Sequence, residues 1–249
     1  MKIRHAVCLA AALLAGCAPS VDKGYQGWVE AEQVFVSPHE PGRIETLLVR
    51  EGDAVKTGAP LFTLDEELQQ AELNQAQASL TNARQAFERA QLLLKTAAGT
   101  QKAFEDAEAT MRTADARLNS SQTRLARRKV ASPATGVVQQ VYFRQGEMVP
   151  AGRPVLALLP PENIKLRFFV PETMVPKIAI GDTVGVGCDG CPPDLTAQVS
   201  FIAQTAEFTP PVIYSLEERS KLVFLVEARP EKPTALRVGQ PVSVSLVKK

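Results

Sequence analysis

Histidine, cysteine and aromatic residues are scarce in this chain, and so is any imbalance of charge. Two histidines and four methionines argue against a dedicated metal-handling role, because such sites favour imidazole and thioether ligands. Lys+Arg number 28 against 27 Asp+Glu, so the basic excess expected of a nucleic-acid-binding surface is missing. No nucleophile–base–acid constellation and no phosphate-binding glycine loop appears. Acidic pairs such as Asp65/Glu66 and Glu217/Glu218 read as helix-start and loop charges, so no catalytic residue, metal site or cofactor is assigned. The apolar run from Ala6 to Ala15 is too short for a permanent membrane span, which needs about 20 residues. Proline, 18 in all, is absent from the 64 residues between Glu66 and Lys129, which hold a single glycine, Gly99.

That proline-free stretch carries the strongest pattern. Apolar or alanine residues recur in steps of three and four at Leu73, Ala76, Leu80, Ala83, Phe87, Ala90, Leu94 and Ala97. The rhythm resumes at Phe104, Ala107, Met111, Ala114, Leu118, Ser121 and Leu125. This is a heptad seam written on two helices. Folded about Ala98-Gly99 it predicts an antiparallel hairpin over 66–129, tip near 97–101, whose first helix runs about 48 Å at 1.5 Å per residue. Large layers (Leu94 with Phe104, Phe87 with Met111, Leu80 with Leu118, Leu73 with Leu125) alternate with small ones (Ala90 with Ala107, Ala83 with Ala114, Ala76 with Ser121), so residue size helps set the register.

Residues 1–17 read as an export signal. Lys2 and Arg4 precede the apolar run, which ends in Leu14-Ala15-Gly16-Cys17. This tetrapeptide resembles the bacterial lipobox, in which the cysteine is lipidated and becomes the mature N-terminus. Several acyl chains hold a protein stably on a membrane where one does not. The expectation is a periplasmic protein anchored through Cys17, with the inner membrane favoured.

Two segments flanking the hairpin match without a gap. Pro41 to Asp65 reads PGRIETLLVREGDAVKTGAPLFTLD, and Thr135 to Leu159 reads TGVVQQVYFRQGEMVPAGRPVLALL. Gly42, Gly52 and Gly58 align with Gly136, Gly146 and Gly152, and all six are expected to be turn glycines. Each half is too short to bury a core, but two halves together are not. From Asn163 onward short β-prone runs (164–170, 183–186, 195–202, 222–228, 242–247) predict a small barrel or sandwich, to which a strand from residues 18–38 is expected to add. Cys188-Asp-Gly-Cys191 suggests a tight turn. A disulfide or a pair of thiols there is favoured over zinc binding or redox catalysis, since no second pair accompanies it.

The paired half-motifs resemble a lipoyl domain (39–65 plus 130–160) cut in two, with the hairpin inserted at the cut. This arrangement is similar to the HlyD-type membrane fusion proteins, the periplasmic adaptors of bacterial export systems. A cofactor-carrying lipoyl domain is the rival. It would need a lysine where the halves join, and Leu64-Asp65-Glu66-Glu67 presents none. The resemblance implies an elongated mixed α and β chain with a β-barrel domain over 161–249. It also implies a homo-oligomeric ring, a hexamer, that joins an inner-membrane transporter to a TolC-like outer-membrane channel. Channel-docking adaptors carry Arg, then Leu four residues on, then Ser seven beyond; Arg89, Leu93 and Thr100 stand at that spacing, with threonine for serine. Phe208 to Arg229 is most similar to short adaptors of ABC-type exporters. The absence of a further membrane-proximal domain points away from proton-driven pumps. A structural coiled-coil lipoprotein of the envelope, or an adaptor for a non-ABC pump, stays open as an alternative.

Overall fold

The computed structural model describes residues 24–208 and 222–246; Cys17 and part of the segment between Phe208 and Arg229 lie outside them. The chain divides into two compact units, Ala31–Asn163 and Met1–Glu30 with Ile164–Lys249. None of the described helices is long and apolar enough to cross a membrane.

In the first unit, β2 (Val34–Val36), β3 (Gly42–Leu47), β4 (Ala54–Val55) and β5 (Pro60–Leu64) lead into α1 (Glu67–Lys95) and α2 (Gln101–Ala126). After the helices come β6 (Lys129–Ala131), β7 (Gly136–Val141), β8 (Met148–Val149) and β9 (Leu156–Leu159). These strands make two sheets, in the orders β2-β9-β7-β4 and β6-β5-β3-β8. The two orders are the same when the halves of the repeat are exchanged. Each half lends its shortest strand to the other: β4 pairs with β7, and β8 with β3. The core is correspondingly shared, with Ile44, Leu61, Phe62 and Leu64 from one half buried against Val138, Val149, Val155, Leu156 and Leu158 from the other. Neither half has a core of its own, so the exchange is what makes the domain.

The second unit is a closed six-stranded barrel, ordered β1-β10-β13-β12-β11-β14. Its strands are β1 (Tyr25–Ala31), β10 (Ile164–Pro171), β11 (Thr183–Gly187), β12 (Thr196–Phe208), β13 (Leu222–Pro230) and β14 (Pro241–Leu246). Strict alternation on β10 puts Ile164, Leu166, Phe168 and Val170 inside. Closure leaves no free edge among these strands. The one barrel strand expected from residues 18–38 is in fact two. β1 closes the barrel against β14, whereas β2 pairs with β9 in the sandwich. Exposed Glu32 and Gln33 separate them, and an apolar alternation that continues across a break cannot show that its halves serve different cores.

One turn is used four times. At Arg50–Asp53, Arg144–Glu147, Ala179–Asp182 and Arg237–Gln240 the fourth residue's N–H donates to the first residue's carbonyl at 3.0–3.2 Å. The first residue's N–H in turn donates to the fourth side chain at 2.7–3.0 Å. The third residue is glycine with φ between +83° and +93°, as a type II turn requires. That glycine's own N–H reaches a neighbouring strand: Gly52 to Val138, Gly146 to Ile44, Gly181 to Val199 and Gly239 to Val29, each at 2.8 Å. In the sequence the device is Gly-(Asp/Glu/Gln)-x-Val, and the valine two residues on is buried every time.

Gly58 and Gly152 are likewise turn residues with positive φ. Gly42 and Gly136 are not: they open β3 and β7 with ordinary backbone. They are needed for close approach, because a Cβ on Gly136 would lie 2.6 Å from the Leu159 carbonyl oxygen and one on Gly42 2.6 Å from Arg128 Nη1. Gly136→Ala should therefore destabilise the chain by about 1–3 kcal/mol through overpacking against backbone, read as a lowered urea midpoint with unchanged slope.

Candidate docking surface at the hairpin tip

The hairpin is held at its root by charge. Asp65, two residues before α1 begins, accepts from Arg43 Nη2 at 2.8 Å and from the Glu67 N–H at 3.2 Å. The Arg43 hydrogen bond first, and the Glu67 amide second, hold its carboxyl below the usual aspartate range. In the turn between α2 and β6 Arg128 is buried, with Nη1 donating to the Pro41 carbonyl at 2.8 Å and Nη2 lying 3.5 Å from Glu40. Its own carbonyl accepts from Leu64 N–H at 2.8 Å. Arg124 joins Glu40 at 3.3 Å and Glu72 at 3.1 Å, and Lys129 meets Glu66 at 3.5 Å. Both helix ends are thus tied to the entrance of β3. Arg128 has no repeat or motif to mark it; the only hint is three consecutive cations, Arg127-Arg128-Lys129, at a helix C-terminus, where cations are favoured.

Between root and tip, Ala76, Leu80, Ala83, Ala114 and Leu118 are buried, with Leu73 and Met111 packed against them. Nearer the tip the rings of Phe87 and Phe104 meet across the seam at 5.3 Å between centroids.

At the tip α1 ends at Lys95, shorter than the expected 66–97, so 29 residues span about 43 Å. The end is a Schellman motif: Ala98 N–H donates to the Leu93 carbonyl at 2.9 Å and Ala97 N–H to Leu94 at 3.1 Å. The left-handed residue is Ala97, φ +57°, and not Gly99. Gly99 is required for another reason, since a Cβ there would lie 3.0 Å from Leu93 Cβ. Thr100 then caps α2, its hydroxyl accepting from Ala103 N–H at 3.2 Å.

Arg89, Leu93 and Thr100 all lie at this end and are exposed. Arg89 and Leu93 are four apart on one face of α1. Leu93 touches the loop through Gly99, which leads directly into Thr100. Leu92, 63% exposed, stands beside Leu93 at 48% and was given no role by the spacing motif. Leu92 and Leu93 are thus an exposed apolar pair at a helix end whose last turn is closed by backbone hydrogen bonds. The other singled-out motif sits in the barrel: Cys188 and Cys191 are joined by a disulfide across a turn in which Gly190 has φ +79° and the Cα atoms are 5.3 Å apart. Gln240 Nε2 lies 3.7 Å from Cys191 Sγ, linking that loop to the fourth of the repeated turns.

Residues 32–156, half of the chain, match the family described as YknX, barrel-sandwich hybrid domain. A UPF0194 membrane protein of Acidithiobacillus ferridurans is 26% identical over 297 residues, covering 92% of this chain and 88% of its own. An antibiotic efflux pump periplasmic linker protein, ArpA of Pseudomonas putida, is 33% identical over 118 residues, covering 47% of this chain and 32% of its own. Among solved structures, a MacA–MexA chimera carrying the Pseudomonas aeruginosa MexA α-hairpin superposes with TM-score 0.73 at 19% identity, covering 89% of this chain and 79% of that one. At that identity the likeness establishes the fold.

Two predictions follow from this geometry. Ala97→Gly should relieve the left-handed alanine and stabilise the hairpin by about 1 kcal/mol, while Thr100→Ala should cost about 1 kcal/mol by uncapping α2; thermal melts of the two variants should move in opposite directions. Because the folded pKa of Asp65 is depressed, its latch contributes fully above the unfolded value of about 4 and is lost as pH falls through the folded pKa. Asp65→Asn should flatten that acid limb in a plot of urea midpoint against pH and leave the remaining limbs in place.

Proposed function

The chain belongs to the family of HlyD-type membrane fusion proteins, the periplasmic adaptors of efflux systems, and on that footing we propose that it joins an inner-membrane transporter of the ABC type to a TolC-like outer-membrane channel. It is not an enzyme. The observation that carries the proposal is where the hairpin sits. It leaves the sandwich between β5 and β6, where a carrier domain would present its lysine, and the position is taken by an ion-paired helix root. Binding energy placed at Arg89, Leu93 and Thr100 is then held about 43 Å from a rigid base.

The remaining parts of the proposal rest on the sequence. The lipobox ending in Cys17 supports an anchor on the periplasmic face of the inner membrane. The resemblance of Phe208 to Arg229 to short exporter-associated adaptors supports the ABC type. A hexameric ring is the assembly in which a set of hairpin tips would meet a channel. The Cys188–Cys191 disulfide would fasten a barrel loop in an oxidising compartment.

The test is made in cells that export through the system. A cysteine placed at Leu93 should cross-link to the co-expressed channel, and Arg89→Asp should abolish both that cross-link and export. Unchanged export and cross-linking in Arg89→Asp and Thr100→Pro would sink the tip assignment. Co-purification with a transporter lacking nucleotide-binding subunits would overturn the ABC type.

A further inference from the structure

The second residue of the repeated turn differs between the two units. In the sandwich it is polar and bonds back to the chain: Glu51 Oε1 accepts from the Val141 N–H at 2.9 Å, and Gln145 Nε2 donates to the Glu45 carbonyl at 2.8 Å. In the barrel it is Ile180 and Val238, 68% and 50% exposed. β11 and β14 are antiparallel and one turn precedes each, so Ile180 and Val238 lie at opposite ends of the barrel. Ile180 has a second apolar residue beside it. Gly181 N–H donates to the Val199 carbonyl at 2.8 Å and Val199 N–H to the Asp182 carbonyl at 2.9 Å, and the same register brings Phe201 level with Ile180. Phe201 follows the buried Leu195, Ala197 and Val199 with the strand's period of two and by that period would point inward. A register shift against β13 between Val199 and Phe201 adds one residue there, and Phe201 is 47% exposed instead.

The Ile180 end is also the end at which β1 begins and β14 finishes. Tyr25 pairs with Val244, which pairs on its other side with Val186, and Leu246 pairs with Val184. Gly24 therefore stands level with Gly185, and Ile180 lies about 17 Å further out at about 3.3 Å per residue. From Cys17 to Gly24 the chain has seven steps, which at no more than about 3.6 Å each reach about 25 Å. If Cys17 is acylated it lies at the bilayer surface. A tether stretched along the barrel then leaves the Ile180 turn only about 8 Å from that surface, and any shorter course closes the gap.

We propose that the barrel end carrying Ile180 and Phe201 sits in the lipid interface, as a second membrane contact beside the anchor. The proposal depends on the lipobox reading of Cys17 above. Two side chains are too little apolar surface for lasting attachment, but the tether makes the contact intramolecular and holds it at high effective concentration. The contact is apolar and not ionic: among the described residues near it Glu172, Lys177 and Glu207 are exposed and of mixed sign. An acyl anchor fixes where a chain is held and leaves it free to swivel. The second contact fixes which end of the barrel faces the bilayer.

The full chain, purified from membranes, is reconstituted into phosphatidylcholine vesicles that contain a nitroxide-labelled lipid. With Cys17 acylated and Cys188 and Cys191 joined, a cysteine introduced by Ile180→Cys or Val238→Cys is the only free thiol of the mature chain and takes a fluorophore. The label at 180 should be quenched by the nitroxide lipid, and the label at 238, in the same turn at the other end of the barrel, should not. Phe201→Gln should reduce the quenching at 180 and keep a cooperative thermal transition, because the side chain lies outside the barrel core. An unquenched label at 180, equal quenching at both positions, or shielding at 180 that appears only when a transporter is added would overturn the proposal. Mass spectrometry of Cys17 separates the two readings. An unacylated cysteine removes the anchor and the contact together, whereas an acylated one with an unquenched label at 180 overturns the contact and leaves the anchor standing.

Discussion

Everything in the sandwich unit depends on an exchange of two short strands. β4 belongs by sequence to the first half and by hydrogen bonding to the second, and β8 does the opposite. Gly52 to Val138 and Gly146 to Ile44 are the same bond made twice. Because the halves are closed onto each other in this way, the segment joining them carries no structural duty. Loop-closure cost grows only slowly with length, so a hairpin can replace a short connector without loss of the domain. The insertion is tolerated because its two ends, Asp65 and Arg128, were already neighbours in the sheet and are bound to the same β3 entrance.

From that constraint the mechanics follow. A helix pair whose base is free would pivot, and apolar contacts at its tip would be spent on ordering it. Here the base is fixed by ion pairs and by a buried guanidinium, and the tip is fixed by a Schellman turn and a threonine cap. What lies between is an apolar seam centred on Ala76, Leu80, Ala83, Ala114 and Leu118. If the tip docks as proposed, the exposed pair Leu92 and Leu93 would have little left to order, which is the condition under which a small contact is effective.

The sequence was most legible where physics repeats. The heptad seam located both helices to within a few residues, and the 25-residue match of the two halves bracketed six of the eight sandwich strands, β2 and β6 lying outside it. It was least legible where one residue acts alone. Gly42 and Gly136 look like their four turn-forming companions, yet serve close packing, a distinction that only the neighbouring atoms make. Ala97 adopts the left-handed turn that the nearby Gly99 advertised, while Gly99 lies close against Leu93. The barrel's two copies of the Gly-(Asp/Glu/Gln)-x-Val turn went unnoticed for lack of a matching flank, although the four-residue pattern was present. Arg128 carried no signal beyond a run of cations. At the hairpin tip, where docking is proposed, the spacing of Arg89, Leu93 and Thr100 was readable and the exposure of Leu92 was not.

The central claim is that the hairpin is a measured reach from a fixed base. Deleting residues 77–83 together with 112–118 removes one heptad from each helix, keeps the seam in register, and withdraws the tip by about 10 Å. Export by cells carrying this shortened chain is the deciding measurement. The account predicts a folded, cooperatively melting protein in which export is lost. Export at the wild-type rate from that folded chain would contradict it.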